Sequence, residues 1–185
     1  MSQWISDQHP LRELFSELVR ETFQSQLQVN EPGVPEYVAN VLVDFTHRDR
    51  VFALRDARGR QLEEVAEMMM EGDVSLNAAS FEREREVHKH IGDFTLFWSG
   101  VYPEMLRYFR AATRRDHLLD YVEQGRKSYS IAATFDYGAY EQEAQVLKRL
   151  SERFELCMFG LNMVRRELDG LRDPQIQAVK RLLGD

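Results

Sequence analysis

Cysteine is almost absent from this sequence, because Cys157 is the only one among 185 residues. A single cysteine excludes an intramolecular disulfide, and its apolar neighbours favour a buried thiol with a raised pKa over a nucleophile. The N-terminal residues lack the basic and apolar regions of a signal peptide, and no apolar run reaches the roughly 20 residues of a membrane helix. We therefore expect a cytoplasmic protein without a membrane partner.

Glycine-rich loops and nucleophile motifs are also missing. Gly59, Gly72, Gly125 and Gly138 stand alone, so the sequence contains neither a phosphate-binding loop nor a dinucleotide fingerprint. No serine lies in the Gly-x-Ser-x-Gly pattern of a nucleophile elbow. The sequence therefore predicts no organic cofactor, and the catalytic residues of any enzyme activity stay unknown.

Positive charge is in deficit, with 24 Lys and Arg against 31 Asp and Glu and a formal net charge of −7. This excess of negative charge repels phosphate backbones and anionic lipids, which disfavours nucleic acid and membrane surfaces as partners. Hydrophobic residues make up 43% of the chain, which excludes an intrinsically disordered protein.

Apolar residues recur at helical spacing along most of the chain, whereas strand patterns are nearly absent, which predicts an all-α fold. We expect residues 1–185 to form a single helical domain, a compact bundle of six to eight helices. The main predicted helices are a first from Pro10, a second from near Pro35, a central apolar helix near 80–101, a long C-terminal helix near 139–169 and a small final helix from Asp173-Pro174.

The central helix has the most apolar sequence of the chain. Its second half, residues 91–102, reads IGDFTLFWSGVY and contains one charge, Asp93. Ser80 is a good N-cap for this helix, and Pro103 predicts its end because proline cannot continue the backbone hydrogen-bond pattern. We expect this helix to run through the middle of the bundle.

Five acidic and histidine residues are candidate metal ligands. Glu86, His90 and Asp93 fall on one face of the central helix, since they are spaced four and three residues apart. Asp44 and His47 have a similar spacing on the second helix, and such pairs on facing helices hold metal ions in carboxylate bundle proteins. The alternative is a solvated glutamate, a half-buried core histidine and an aspartate that pairs with an arginine.

Basic residues cluster after the central helix and are interleaved with Tyr108 and Phe109. Such a cluster is a candidate site for a phosphorylated ligand, an acidic partner or RNA. A solvated basic face that balances the acidic excess is the alternative. The candidate anion-binding residues are Arg107, Arg110, Arg114 and Arg115.

Aromatic residues could line a ligand cavity between helices, as helical bundles with aromatic interiors can hold ligands. Ordinary core packing explains the same pattern. The expected lining is Phe94, Phe97, Trp98, Tyr102, Phe135 and Tyr137.

Two classes of function follow from these patterns. The favoured hypothesis is a non-enzymatic helical module that binds another protein, or a second copy of itself, through a helix face. Met158, Phe159 and Met163 support it, because they lie outside the main apolar stripe of the long C-terminal helix. The alternative is a metal-binding helical bundle, an oxidoreductase or hydrolase, that uses a divalent or transition metal.

Overall fold

The computed structural model describes residues 10–171, where helices are the regular secondary structure apart from one isolated bridge between Arg55 and Gln61. The prediction of an all-α bundle is confirmed. Within these residues no helix has the length and apolar character needed to cross a membrane. The α-helices of this part of the chain are α1 (Pro10–Arg20), α2 (Val34–Asp44), α3 (Arg48–Val51), α4 (Val65–Gly72), α5 (Phe81–Val101), α6 (Leu106–Phe109), α7 (Tyr121–Ala133), α8 (Glu141–Glu152) and α9 (Phe154–Gly170).

The second helix begins where its proline predicts. α1 begins at Pro10, and Pro35 lies in the first turn of α2, where its missing N–H leaves no intrahelical hydrogen bond unmade. α1 continues directly into a π-helical turn over Glu21–Gln26. α1 packs against α2 and contributes Phe15 and Val19 to the buried core.

α5 is the central helix of the bundle and packs against α2, α4, α7 and α9. Ser80 caps its N-terminus, because the Ser80 hydroxyl accepts a hydrogen bond from the Arg83 backbone N–H at 3.1 Å. Every residue from Ile91 to Val101 is buried, and Trp98 is only 9% exposed. The predicted central position of this helix is therefore confirmed.

Two glycines allow the close approach of α5 and α7. A methyl group on Gly92 of α5 would lie 2.4 Å from the ring of Tyr129 on α7. A methyl group on Gly125 of α7 would lie 2.4 Å from both the Phe154 ring and the Thr95 hydroxyl. Since no carbon atom fits at these distances, both positions require glycine in the present packing.

The predicted long helix over 139–169 is divided into α8 and α9 at Arg153. Arg153 leaves helical geometry with φ −112° and ψ 20°, and its side chain pairs with Glu31 at 2.9 Å. The break precedes Phe154, whose ring packs on Tyr129 at 6.0 Å. The small final helix predicted from Asp173 lies outside the described residues.

Asp116 joins the segment after α6 to the start of α4. Its carboxylate is fully buried and accepts hydrogen bonds from the backbone N–H groups of Val65 at 2.9 Å and Ala66 at 2.8 Å. The hydroxyl of Tyr121 donates a third hydrogen bond at 2.6 Å. A carboxylate at a helix N-terminus satisfies N–H groups that have no partner within the helix. This contact places the neighbouring Arg114 beside the end of α5.

Candidate functional site

A cavity of about 450 Å³ lies at the C-terminal end of α5. Its walls come from the α2–α3 segment, the end of α5, α6 and two residues from loops. Its volume is within the range of roughly 300–1,000 Å³ that is usual for small-molecule sites. The lining residues are Phe45, Arg48, Val51, Phe52, Glu63, Phe97, Trp98, Tyr102, Glu104, Met105, Tyr108, Phe109 and Arg114. We call this cavity the aromatic pocket.

Pro103 shapes one side of the aromatic pocket. It ends α5 after Val101 and begins a 3₁₀ turn that leads into α6. The chain therefore folds back, and Phe109 of α6 packs against Trp98 of α5 with ring centroids 4.9 Å apart. Trp98 also contacts Tyr102 at 6.0 Å, in a tilted arrangement that suits aromatic pairs.

The opposite side of the aromatic pocket comes from residues before and after α3. Phe45 packs against Phe97 of α5 with ring centroids 5.1 Å apart, and Phe52 packs against the buried Phe94 at 5.9 Å. His90 holds this side in place, because its Nε2 lies 3.0 Å from the Val51 carbonyl oxygen. Burial lowers the pKa of His90 below its ordinary value, against the opposing effect of Asp93.

The sequence-based prediction of a ligand cavity identified part of this pocket. Phe97, Trp98 and Tyr102 line it as expected. Phe94 lies behind the wall and contacts Trp98 at 6.1 Å. Phe135 and Tyr137 instead pack against each other at 6.4 Å and do not line it. The aromatic lining residues that the prediction did not include are Phe45, Phe52, Tyr108 and Phe109.

The predicted metal ligand Asp93 is held by protein groups. Its Oδ1 accepts hydrogen bonds from the hydroxyls of Tyr37 at 2.7 Å and Tyr129 at 2.8 Å. Lys89 pairs with its Oδ2 at 3.4 Å. Burial and the nearby Asp93 raise the pKa of both tyrosines, and Asp93 also raises the pKa of Lys89. Lys89 therefore stays an ammonium group and is unsuited to nucleophilic chemistry.

The other predicted metal ligands lie apart from Asp93 or have other partners. Glu86 is exposed and pairs with Arg83 at 2.9 Å. His90 faces the Val51 carbonyl, and Asp44 lies with Asp93 at a separate polar cavity of about 270 Å³ that His47 does not line. Among the described residues, no three His, Cys, Asp or Glu side chains are grouped so that they could hold a metal ion.

The four predicted anion-binding arginines are divided by the structure. Arg114 lines the aromatic pocket and stacks over the Tyr108 ring at 4.1 Å. Arg115 points elsewhere and pairs with Glu67 at 3.5 Å. Arg107 and Arg110 are exposed and do not line the aromatic pocket.

Two nucleophilic groups in the core have no access for a substrate. The Ser128 hydroxyl lies 3.2 Å from Nδ1 of His88, but Ser128 is completely buried and also accepts a hydrogen bond from Gln124. Burial and the nearby Lys127 lower the pKa of His88. Burial raises the pKa of Cys157 to about 12, as its apolar neighbours predict. These groups serve the packing of the bundle.

No protein-family model matches this chain, and no curated protein or solved structure is significantly similar to it. The geometry of the chain itself is therefore the basis for a functional proposal. The aromatic pocket has the size and the lining of a ligand site.

Proposed function

We propose that this protein is a helical binding protein that holds a small, largely apolar molecule in the aromatic pocket. The observation that carries the proposal is a cavity of about 450 Å³ with seven aromatic side chains in its lining. Aromatic walls with a few charged groups at the mouth are typical of small-molecule sites. Such a ligand gains free energy by leaving water, at about 25 cal/mol for each Å² of apolar surface that it buries.

The shape of the pocket also favours a ring-bearing ligand. The wall residues Phe97, Trp98 and Phe109 contact one another at tilted or edge-to-face angles. A flat ring that enters the pocket can meet their faces and edges in the same arrangements, which adds about 0.5–1.5 kcal/mol for each aromatic pair. Val51 and Met105 complete an apolar lining that would exclude water from the bound ring.

Binding of the neutral dye N-phenyl-1-naphthylamine tests the proposal. We expect saturable fluorescence enhancement with one dye for each chain and a micromolar dissociation constant. The sequence has two tryptophans, Trp4 and Trp98, and Trp4 lies outside the described residues. Trp98 is therefore the only tryptophan in a Trp4→Phe variant. Energy transfer from Trp98 to the dye should then show that the dye binds on the same side of the protein as the pocket, and the variants below locate the site.

A matched pair of tyrosine variants serves as the control. Tyr108 lines the pocket and is 55% exposed, whereas Tyr137 is 53% exposed and lies outside it. We expect Tyr108→Ala to weaken dye binding about tenfold, which corresponds to about 1.4 kcal/mol, and Tyr137→Ala to leave it unchanged. Unsaturable dye binding, or equal affinity in the two variants, would refute the proposed function.

A second candidate function is association of two copies of this chain through α9. The specific observation is Phe159, which is 54% exposed on α9. Its neighbours Leu156 and Met158 are only partly buried against the core, and Met163 is partly exposed one turn further along the helix. Exposed apolar residues that lie close together on one surface are typical of protein contact sites.

A further inference from the structure

Four charged residues line the aromatic pocket, and one of them already has a strong partner. The Glu104 carboxylate accepts a hydrogen bond from Arg165 at 2.7 Å, and the same guanidinium nitrogen donates to the Val101 carbonyl oxygen. This ion pair of Glu104 and Arg165 contributes little net charge to the pocket. The remaining lining charges are two guanidinium groups, on Arg48 and Arg114, and one carboxylate, on Glu63.

Arg48 has unused hydrogen-bond donors at the mouth of the pocket. Its guanidinium group lies 5.3 Å from the centre of the Phe52 ring, which holds it beside the aromatic wall. Its nearest carboxylate is Glu63 at 3.9 Å, which is too far for a hydrogen bond. The Arg48 side chain is 76% exposed and makes no hydrogen bond to any of the described residues.

Arg114 is a second guanidinium group, and it is held more firmly. It stacks over the Tyr108 ring at 4.1 Å and donates a hydrogen bond to the Tyr108 hydroxyl. Its closest carboxylate, on Glu64, lies 3.7 Å away and also accepts a hydrogen bond from the Arg115 backbone. Stacking fixes the plane of the guanidinium group and lowers the entropy that is lost when it binds a further anion.

We propose that the ligand is an amphiphile with an anionic head group, whose apolar body fills the pocket while Arg48 and Arg114 bind the head group. This inference rests on the proposed function. Guanidinium groups bind carboxylate, phosphate and sulfonate oxygens through paired, charge-assisted hydrogen bonds. A cationic head group would be less favoured, because Arg165 already pairs with the Glu104 carboxylate and the Arg48 guanidinium lies beside the Glu63 carboxylate.

Two dyes with one skeleton separate the head group from the apolar body. 8-Anilino-1-naphthalenesulfonate is N-phenyl-1-naphthylamine with an added sulfonate group. We expect the anionic dye to bind at least about tenfold more tightly than the neutral dye at low salt. High salt should narrow this gap because it screens charges at an exposed mouth.

Arginine variants test which side chains bind the anionic head group. Arg48→Gln should reduce the ratio of the two affinities at least about threefold, because the anionic dye loses a charge-assisted hydrogen bond that the neutral dye does not make. Arg110→Gln is the matched control, since it removes the same charge from an exposed position near the pocket that is not part of its lining. We expect this control to preserve the ratio.

The sign of the head group is tested with 2-naphthoate and 2-naphthylmethylammonium. Tighter binding of the carboxylate supports the inference, and equal or tighter binding of the ammonium compound overturns it. Equal affinities for the neutral and anionic dyes, or equal effects of Arg48→Gln and Arg110→Gln, also overturn it. In those cases the proposed function still stands, whereas it fails only if the neutral dye does not bind in the pocket.

Discussion

His88 and His90 lie two residues apart on α5, and both have a pKa below the ordinary value of histidine. His88 contacts the Ser128 hydroxyl, and His90 contacts the Val51 carbonyl oxygen. Burial is the largest cause that lowers the pKa of both imidazoles. A buried imidazolium lacks the hydration that stabilises its charge in water, so the folded protein resists protonation at both positions.

These lowered pKa values predict a loss of stability in mild acid. In the unfolded chain both histidines titrate near the ordinary value of about 6.5. As the pH falls through this value, the unfolded chain takes up protons that the folded protein does not, so the free energy of unfolding decreases. Each histidine contributes up to about 1.4 kcal/mol per pH unit, until the pH reaches its lowered pKa in the folded state. Urea unfolding between about pH 7.5 and pH 5 measures this decrease.

Glutamine variants assign the pH dependence to individual histidines. His90→Gln keeps a side-chain N–H for the Val51 carbonyl but cannot become charged, so the stability of this variant should fall less steeply with pH. His117→Gln replaces an exposed histidine and is the matched control for the substitution itself. If the double variant His88→Gln, His90→Gln showed the wild-type slope, burial of these two imidazoles would not be its source.

The contact between α5 and α7 depends on the absence of a side chain at Gly92. An alanine methyl group there would lie within 2.8 Å of three atoms of the Tyr129 ring. That ring cannot move freely, because its hydroxyl donates a hydrogen bond to Asp93 and the ring packs against Phe154 with centroids 6.0 Å apart. We expect Gly92→Ala to destabilise the protein by about 1–3 kcal/mol, despite the better helix propensity of alanine. Chemical denaturation measures the change.

Gly170→Ala is the matched control for this prediction. Gly170 is also helical, but a methyl group there would have no neighbour within 4 Å among residues 10–171. Its replacement by alanine should be neutral or slightly stabilising. Equal stability of the Gly92→Ala and wild-type proteins would show that α5 and α7 can separate at low cost, contrary to the packing described above.

Local signals in the sequence predict the helix ends more reliably than the breaks within helices. Pro35, Ser80 and Pro103 mark helix boundaries that the structure confirms. Arg153 carries no such signal, because the apolar spacing continues regularly from Leu150 through Phe154. The two residues at the break both make tertiary contacts. Arg153 pairs with Glu31, and Phe154 packs against α7. Contacts with distant residues cannot be read from a local pattern.

At the level of the whole molecule, the sequence predicted the aromatic pocket only in part. Trp98 lies one turn before Tyr102, the residue that directly follows the end of α5, so helical spacing places them together. Phe45 and Phe52 reach the same cavity from either side of the four-residue helix α3. Their positions depend on how the α2–α3 segment packs on α5, which no periodicity encodes. The convergence of Asp44 with Asp93 at the polar cavity depends on the same packing.

The exposed part of α9 leads to a prediction about the assembly of the whole protein. One side of α9 is buried against the bundle through Cys157, Leu161 and Val164. Phe159 lies on a different side, where water contacts more than half of its surface. Two copies that meet through this side would each cover the Phe159 ring of the other, as the isologous contacts of homodimers do. We therefore expect a concentration-dependent equilibrium between monomer and dimer.

Sedimentation velocity over about a hundredfold range of protein concentration measures this equilibrium. Phe159→Ser should shift it toward the monomer, because the variant removes the largest exposed apolar side chain of α9. Phe81→Ser is the matched control, since Phe81 is 64% exposed but begins α5 at a different surface. Replacement of either exposed ring should leave the fold intact, so a change in the sedimentation coefficient reports association. A monomer at every concentration, or the same shift in both variants, would exclude α9 as the contact surface.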